Sequence, residues 1–331
     1  LKSKTTMTYL ENSKQYTGSD LENIFFRPML TGESAQDLGV RVLYNMPQPT
    51  HVQLWDGQRN ILQKFTSAGW AGGKAATKYE KTVNLNRVKA ELGFSAANYF
   101  SMVYEKVSSL VNTHMDDLSG TELEQAETAL FKQALAENIR VTMWIGDTSA
   151  ASGYNTFDGL LKRINGLVDD DGVYNFAYQA AALEDPAYAV ELFDKLWAGA
   201  DPRIPGLKAD DRLAYFVSSD IYRLYEKYLD AKGADAAYAD AMNGRRTLAY
   251  HGIPVVDVRL GSYLGATSFR QSFVMLTDRR NLVLAVNTAD MPGNEVRMWY
   301  NPDEMENRQR AVFMAGTQIL DEALISFAYK Q

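Results

Sequence analysis

An α+β fold is what this sequence predicts, and three observations carry that expectation. A run at 121–143 repeats apolar residues at helical spacing: Leu123, Ala126, Leu130, Phe131, Ala134, Leu135 and Ile139. A strand, a polar cap and a second amphipathic helix then succeed one another over 213–230. From Ser268 onward the pattern is mainly strand alternation punctuated by turns. With 331 residues, 46% of them hydrophobic and 23% charged, the chain has ordinary globular composition and enough length to bury a sizeable core.

In chain order, residues 1–35 are polar and irregular, broken by Arg27-Pro28 and Gly32, and read as an extended arm. The first fifteen residues carry no apolar signal core. The sequence starts at Leu1 instead of Met, which fits either trimming or proteolytic maturation. Residues 40–44 alternate as a strand until Pro47 and Pro49 interrupt them. Asp56-Gly57 is a strong hairpin-turn dipeptide between two apolar stretches, and the following SAGWAGGKAATK is glycine-rich. Strand alternation resumes through Val83, Leu85 and Val88. Together these features predict a long, partly projecting β-hairpin region over roughly 38–90.

An amphipathic helix is expected near 96–111. The long helix after it can be capped by Ser119 or Thr121, and Glu124 stands at capping-box spacing from Thr121. It stops at Gly146-Asp147. Residues 188–197 have helical spacing, with Pro202 and Pro205 expected to end that helix. In the strand-helix unit, Ser218 or Ser219 can cap a helix whose face is Ile221, Leu224, Tyr225, Tyr228 and Leu229. A further strand is predicted at 253–258. Strands at 273–276 and 282–286 flank a polar turn, and Val296, Met298 and Tyr300 alternate with Arg297 and Trp299. The stretch 311–320, interrupted by Gly316, reads as a closing hairpin.

The search for chemistry excludes more than it finds. There are no cysteines, so disulfides, thiolate metal sites and cysteine nucleophiles are excluded together. No apolar run approaches the roughly 18 residues of a membrane-crossing helix. GWAGGKA fails as a phosphate loop, because Ala68 stands where the motif needs Gly and Ala75 follows Lys74. His51, His114 and His251 have no second histidine at metal-pair spacing. Asp169-Asp170-Asp171-Gly172 fits an exposed turn better than a calcium loop, whose ligands alternate. Tyr222, Tyr225 and Tyr228 sit at core spacing more than as a stacking platform. No catalytic residue, cofactor or metal ligand is expected.

Net charge is −7, which disfavours a dedicated nucleic-acid binder, yet the charge is unevenly spread. Residues 37–90 hold eight Lys/Arg against three Asp/Glu, and residues 169–211 hold three against ten. Either these are solvated faces, or opposite segments of neighbouring copies attract one another.

The order of parts resembles the major capsid proteins of tailed bacteriophages (Caudoviricetes), with the Hong Kong 97-type fold. TELEQAETALFKQALAENIRVTMWIGD is similar to the family's spine helix with its apolar-Gly-Asp ending. TFDGLL at 156–161 resembles the lead into the axial domain, and RLAYFVSSDIYRLYEKYLDAKG resembles the strand, polar cap and helix that recur in the family. YHGIPVVDV and FMAGTQILDEALISFAYK look like its Gly-x-Pro-Val-Val strand and its closing peripheral segment. Each motif is weak alone; their order and spacing across nearly the whole chain carry the likeness.

The resemblance implies an N-terminal arm at 1–37 and an E-loop β-hairpin at 38–82. It further implies a peripheral domain from 83–155 and 265–331 that includes the spine helix, and an axial domain at 156–264. It implies a structural, non-enzymatic subunit whose hexamers and pentamers close an icosahedral head around double-stranded DNA, held on the inner face without sequence specificity. Scaffold and portal proteins would be partners, and the protein would reside in the virion capsid after assembly in the host bacterial cytoplasm. Alternatives are an encapsulin-like compartment shell, or a soluble enzyme with a dispersed site. The expected assembly contacts are Trp55, Arg59, Lys64, Trp70, Lys74 and Lys78, the two tryptophans being either intersubunit anchors or packed within their own subunit. Some relatives crosslink an E-loop Lys to an Asn. No partner Asn can be assigned to Lys64, Lys74 or Lys78, and no crosslink is expected.

Overall fold

The computed structural model describes residues 14–16, 39–45, 50–55, 78–95, 122–168, 172–233, 248–261, 263, 272–287, 294–304 and 306–331. In order these form β1 (Lys14–Tyr16), β2 (Arg41–Tyr44), β3 (Thr50–Trp55), β4 (Lys78–Val83), β5 (Asn86–Ser95), α1 (Glu122–Ile145), α2 (Leu160–Asn165) and β6 (Tyr174–Tyr178). Then come α3 (Tyr188–Ala198), α4 (Ile204–Lys208), β7 (Leu213–Val217), α5 (Ser219–Ala231), β8 (Leu248–Tyr250) and β9 (Ile253–Asp257). The chain closes with β10 (Phe273–Asp278), β11 (Leu282–Asn287), β12 (Glu295–Asn301), β13 (Glu306–Ile319) and β14 (Ile325–Lys330). The helix expected near 96–111, the caps Ser119 and Thr121, His114 and the Asp56-Gly57 turn lie outside the described residues.

The larger sheet is built on β13. Its residues Met314 and Ala315 pair with Asn287 and Val286 of β11 and also with Arg87 and Asn86 of β5. A strand has two edges, so β5 and β11 flank β13 on opposite sides. Residues 306–312 likewise pair with both β12 and β5. Hence β11 and β12 run end to end along one edge of β13, while β5 follows the other. Beyond them, β1 adds to β12 antiparallel and β2 adds to β11 in parallel.

This overturns the closing hairpin expected at 311–320. Gly316 does not turn the chain: it lies inside a single 14-residue strand. A Cβ there would sit 2.2 Å from the Asn84 carbonyl oxygen, so glycine admits the crossing from β4 to β5 over the strand.

The second sheet has the order β6-β14-β10-β7-β9-β8. Every residue of β7 is buried, because both faces are covered. Leu213, Tyr215 and Val217 meet α3 and α5, whereas Ala214 and Phe216 turn to the core containing the end of α1. Ser218 occupies the position before α5, but its hydroxyl does not cap the helix. It accepts from the Phe273 amide at 3.0 Å and donates to Asp220 at 2.5 Å, fastening α5 to β10 instead. The helix at 188–198 ends at Gly199, before Pro202, and Pro205 stands in the first turn of α4, where a missing N–H costs nothing. Strands β6 and β8 were not expected. One is a half-exposed edge strand and the other has three residues, so neither shows a clear period in sequence.

Two crossings join the sheets side by side. One is the 3-10 turn Arg279–Asn281 between β10 and β11, and the other connects β13 to β14. Asn281 Nδ2 donates to the Asp321 carbonyl at 2.8 Å, the Asp321 amide donates to Asn281 Oδ1 at 2.7 Å, and the Leu320 amide donates to the Asn281 carbonyl at 3.0 Å. Arg203 ties α4 to the same place, 2.8 Å from Asp321.

The end of α1 is set by a close backbone approach. A Cβ on Gly146 would lie 2.1 Å from the Phe157 carbonyl oxygen, and one on Gly159 would lie 2.5 Å from the Gly146 nitrogen. Both positions therefore need glycine. Lys162 then sits between two carboxylates, 2.7 Å from Asp147 and 2.6 Å from Asp158. Its hydrogen bond, with others from the Ser149 hydroxyl and amide, holds the Asp147 carboxyl down at about 2. Near the end of α1, the buried Arg140 donates to the Val258 carbonyl at 2.8 Å and pairs with Glu137 at 2.6 Å, joining the helix to the segment after β9.

Candidate assembly interface

The region singled out for intersubunit contact is anchored by a two-stranded ribbon. β3 and β4 pair antiparallel from Thr50↔Val83 at the base to Trp55↔Lys78 at the far end. Among the described residues the partner of β3 is thus 78–83; the stretch just after Asp56-Gly57 lies outside them. Isolated two-stranded ribbons are marginally stable, so attachment of the base matters. Val52, Val83 and Leu85 are buried against Val283, Ala285 and Leu320 on the outer face of the large sheet. Gln318 Nε2 donates to the Thr82 carbonyl at 2.8 Å, and Lys81 is 2.6 Å from Glu322. His51 lies 2.7 Å from Glu80 on the exposed part of the ribbon.

Of the six expected contact residues, the structure brings Trp55 and Lys78 to opposite positions at the ribbon's far end. Arg59, Lys64, Trp70 and Lys74 fall within 56–77, outside the described residues. β2 belongs to the large sheet, through its pairing with β11, and not to the ribbon.

A second surface was not foreseen. Among the described residues β5 pairs only with β13, leaving its other edge open. Between this strand and α1 runs a cavity of about 560 Å³, with Leu92, Phe131, Leu135, Ile139 and Phe313 in its walls. Leu92 is exposed beside it. Nothing in a sequence read strand by strand marks which edge will stay unpaired, since that depends on partners more than 200 residues away.

The described residues contain no cluster of His, Cys, Asp or Glu that could hold a metal ion, and no helix long and apolar enough to cross a membrane. The buried tyrosines 178, 215 and 250 have hydroxyls pushed upward by burial, and each fills a core between sheet and helices. Such phenols are structural in character.

Two sheets joined through a shared crossing, one long helix across their junction and a ribbon on the large sheet make this the α+β fold of tailed-phage capsid proteins. The chain is similar to one from the "Satellite phage P4 procapsid including size determination (Sid) protein", at TM-score 0.57 and 10% identity, covering 92% of this chain and 96% of that one. It is similar also to a chain of Gordonia phage Cozz, at TM-score 0.50 and 10% identity, covering 90% and 86% respectively. An encapsulin complex from Synechococcus elongatus gives TM-score 0.45 at 9% identity, over 87% and 84%. No protein-family model and no curated sequence matches the chain.

Proposed function

We propose that this protein is the structural major capsid subunit of a tailed phage, acting by self-association and not by catalysis. The observation that carries the reading is the likeness to the P4 procapsid chain over nearly the full length of both molecules. On this reading residues 1–37 are an N-terminal arm, 38–82 the E-loop, and α1 the spine helix of a peripheral domain formed by 83–155 and 265–331. Residues 156–264 are the axial domain. The finer assignment is supported by the ribbon, whose strands are 50–55 and 78–83, by the 24-residue length of α1, and by β6, β7, β8, β9, α3 and α5, which all fall between 156 and 264.

Physical cost favours assembly. A projecting ribbon and an arm lose conformational entropy when ordered, and a neighbouring copy can offset that loss with buried apolar area and strand pairing. Trp55, Arg59, Lys64, Trp70, Lys74 and Lys78 are the residues assigned to those contacts. Hexamers and pentamers would close a shell around double-stranded DNA, with scaffold and portal proteins as partners, in the host cytoplasm and then in the virion.

Negative-stain microscopy of the purified protein tests this. Closed shells or rings of six or five are expected, and uniform monomers or dimers under every assembly condition would overturn the proposal. An encapsulin-like compartment would also give shells, but would enclose protein in place of DNA when recovered from cells.

A further inference from the structure

Three arginines converge on one cleft at the start of the large sheet. Gly39, Val40, Arg41, Val42, Arg279 and Arg280 line a cavity of about 570 Å³. Topology creates it. The parallel pairing of β2 with β11 sets Arg41 opposite Val283, and Arg279 and Arg280 occupy the 3-10 turn that leads directly into β11. Gly39 has φ +80°, and the Arg279 Cδ lies 3.0 Å from where a Cβ on Gly39 would be, so the arginine stem lies flat against the glycine. The turn is rigidly held. Asp278 accepts from the Arg280 amide at 2.8 Å, and the Arg279 amide donates to the Arg212 carbonyl at 2.9 Å.

The charges in this cleft are not balanced. Among the described residues no carboxylate pairs with Arg41, Arg279 or Arg280, and the Arg279 Nε is buried without a hydrogen-bond partner. Three like charges around one cavity repel one another, and a buried donor without an acceptor costs about 1–3 kcal/mol. Both costs fall if an anion enters. Guanidinium groups present flat, forked donors suited to a carboxylate.

The chain itself carries a matching surface. Its acidic stretch 169–211 holds ten carboxylates, and several described ones are already engaged within the subunit. Glu191 pairs with Lys195, Asp194 accepts from Tyr250, Asp201 pairs with Arg203, and Asp210 lies near Arg212. Glu184 and Asp185 are exposed and, among the described residues, meet no cation; the Asp185 carboxylate accepts the Ala187 amide at 2.9 Å. They follow β6, an edge strand of the second sheet, whereas the cleft is on the large sheet.

We propose that the Arg41, Arg279 and Arg280 cleft seats Glu184 and Asp185 of a second copy of this chain. The contact joins two different patches, so it is head-to-tail and builds a ring when the rotation between copies closes. This rests on the shell reading and names one of its contacts. The net charge of −7 favours a protein carboxylate over a nucleic-acid phosphate as occupant.

The test begins with the Arg280→Lys chain, assembled from mixed isotope-labelled and unlabelled protein and treated with a carbodiimide. A crosslink between copies, from position 280 to Glu184 or Asp185, is the expected result. In parallel, Arg279→Glu with Arg280→Glu should lower particle yield about tenfold or more at low salt, as should Glu184→Lys with Asp185→Lys. Mixing the two reversed chains should restore rings with an even number of copies, in which the chains alternate and every contact is again between opposite charges. Circular dichroism of each variant guards against misfolding. Arg280→Lys particles that form without the crosslink, together with reversed chains that assemble normally, would overturn this inference alone. Normal particles that retain less DNA when the arginines are reversed would also overturn it, by identifying phosphate as the occupant. A wild-type chain that stays monomeric throughout would overturn the shell reading along with it.

Discussion

Gly316 shows how a single missing methyl group fixes a chain crossing. The backbone of Asn84 passes so near β13 that any side chain at 316 would strike a carbonyl oxygen, and neither backbone can step aside without breaking strand pairs. Gly316→Ala should therefore destabilise the subunit by about 1–3 kcal/mol, the usual range for overpacking, as read from urea unfolding of unassembled protein. Asp147 offers a different test. Its carboxyl is held at about 2 in the fold against an ordinary value of 3.8, chiefly by hydrogen bonds from Lys162 and Ser149. A group depressed in this way binds its proton more readily in the unfolded chain. Its contribution is thus present above the ordinary carboxylate range and is lost as pH falls toward about 2. In Asp147→Asn that part of the acid limb should disappear from a plot of melting temperature against pH, while a limb of unchanged steepness would show that Lys162 leans on Asp158 alone.

At the scale of elements, the ribbon is the part whose removal should separate folding from assembly. Trp55 and Lys78 are paired across it, so replacing 56–77 with Asn-Gly can close the two strands by a tight turn. The shortened subunit should keep its melting temperature within about 3 °C, since the ribbon's buried base is untouched, but should fail to form particles by light scattering. Elements differ in how plainly they can be read. α1 was evident because helical periodicity is a local property of Phe131, Leu135 and Ile139, all buried on one side. β10 and β11 were recognisable as strands, yet no local signal says that they part into different sheets. Gly316 looked like a turn because glycine marks both turns and close approaches, and only the path of residues 84–85 distinguishes them. Trp55 and Lys78 are register partners on one ribbon, a pairing that no local signal in the sequence gives. The arginine cleft was missed because its parts lie at 41 and at 279–280, and only the β2–β11 pairing unites them.

For the whole molecule, the decisive property is an uneven charge on a chain of net −7. Lys74→Glu with Lys78→Glu should weaken particle formation, and more so in dilute buffer than in high salt, because screening mutes exposed charge pairs beyond about 10 Å at 0.1 M ionic strength. Equal loss at both ionic strengths would point to misfolding or to a lost apolar contact.

The paired crossings between the sheets carry a mechanical consequence. Besides the long path from β5 to β6, two short covalent threads sew one sheet to the other, 279–281 and 320–324, laid side by side and riveted through Asn281 and Asp321. A force drawing the sheets apart is therefore divided between two backbones, with their mutual hydrogen bonds loaded in shear, and side-chain packing is the last thing asked to resist it. In a closed container under outward pressure, such a joint would let tension cross each subunit along peptide bonds.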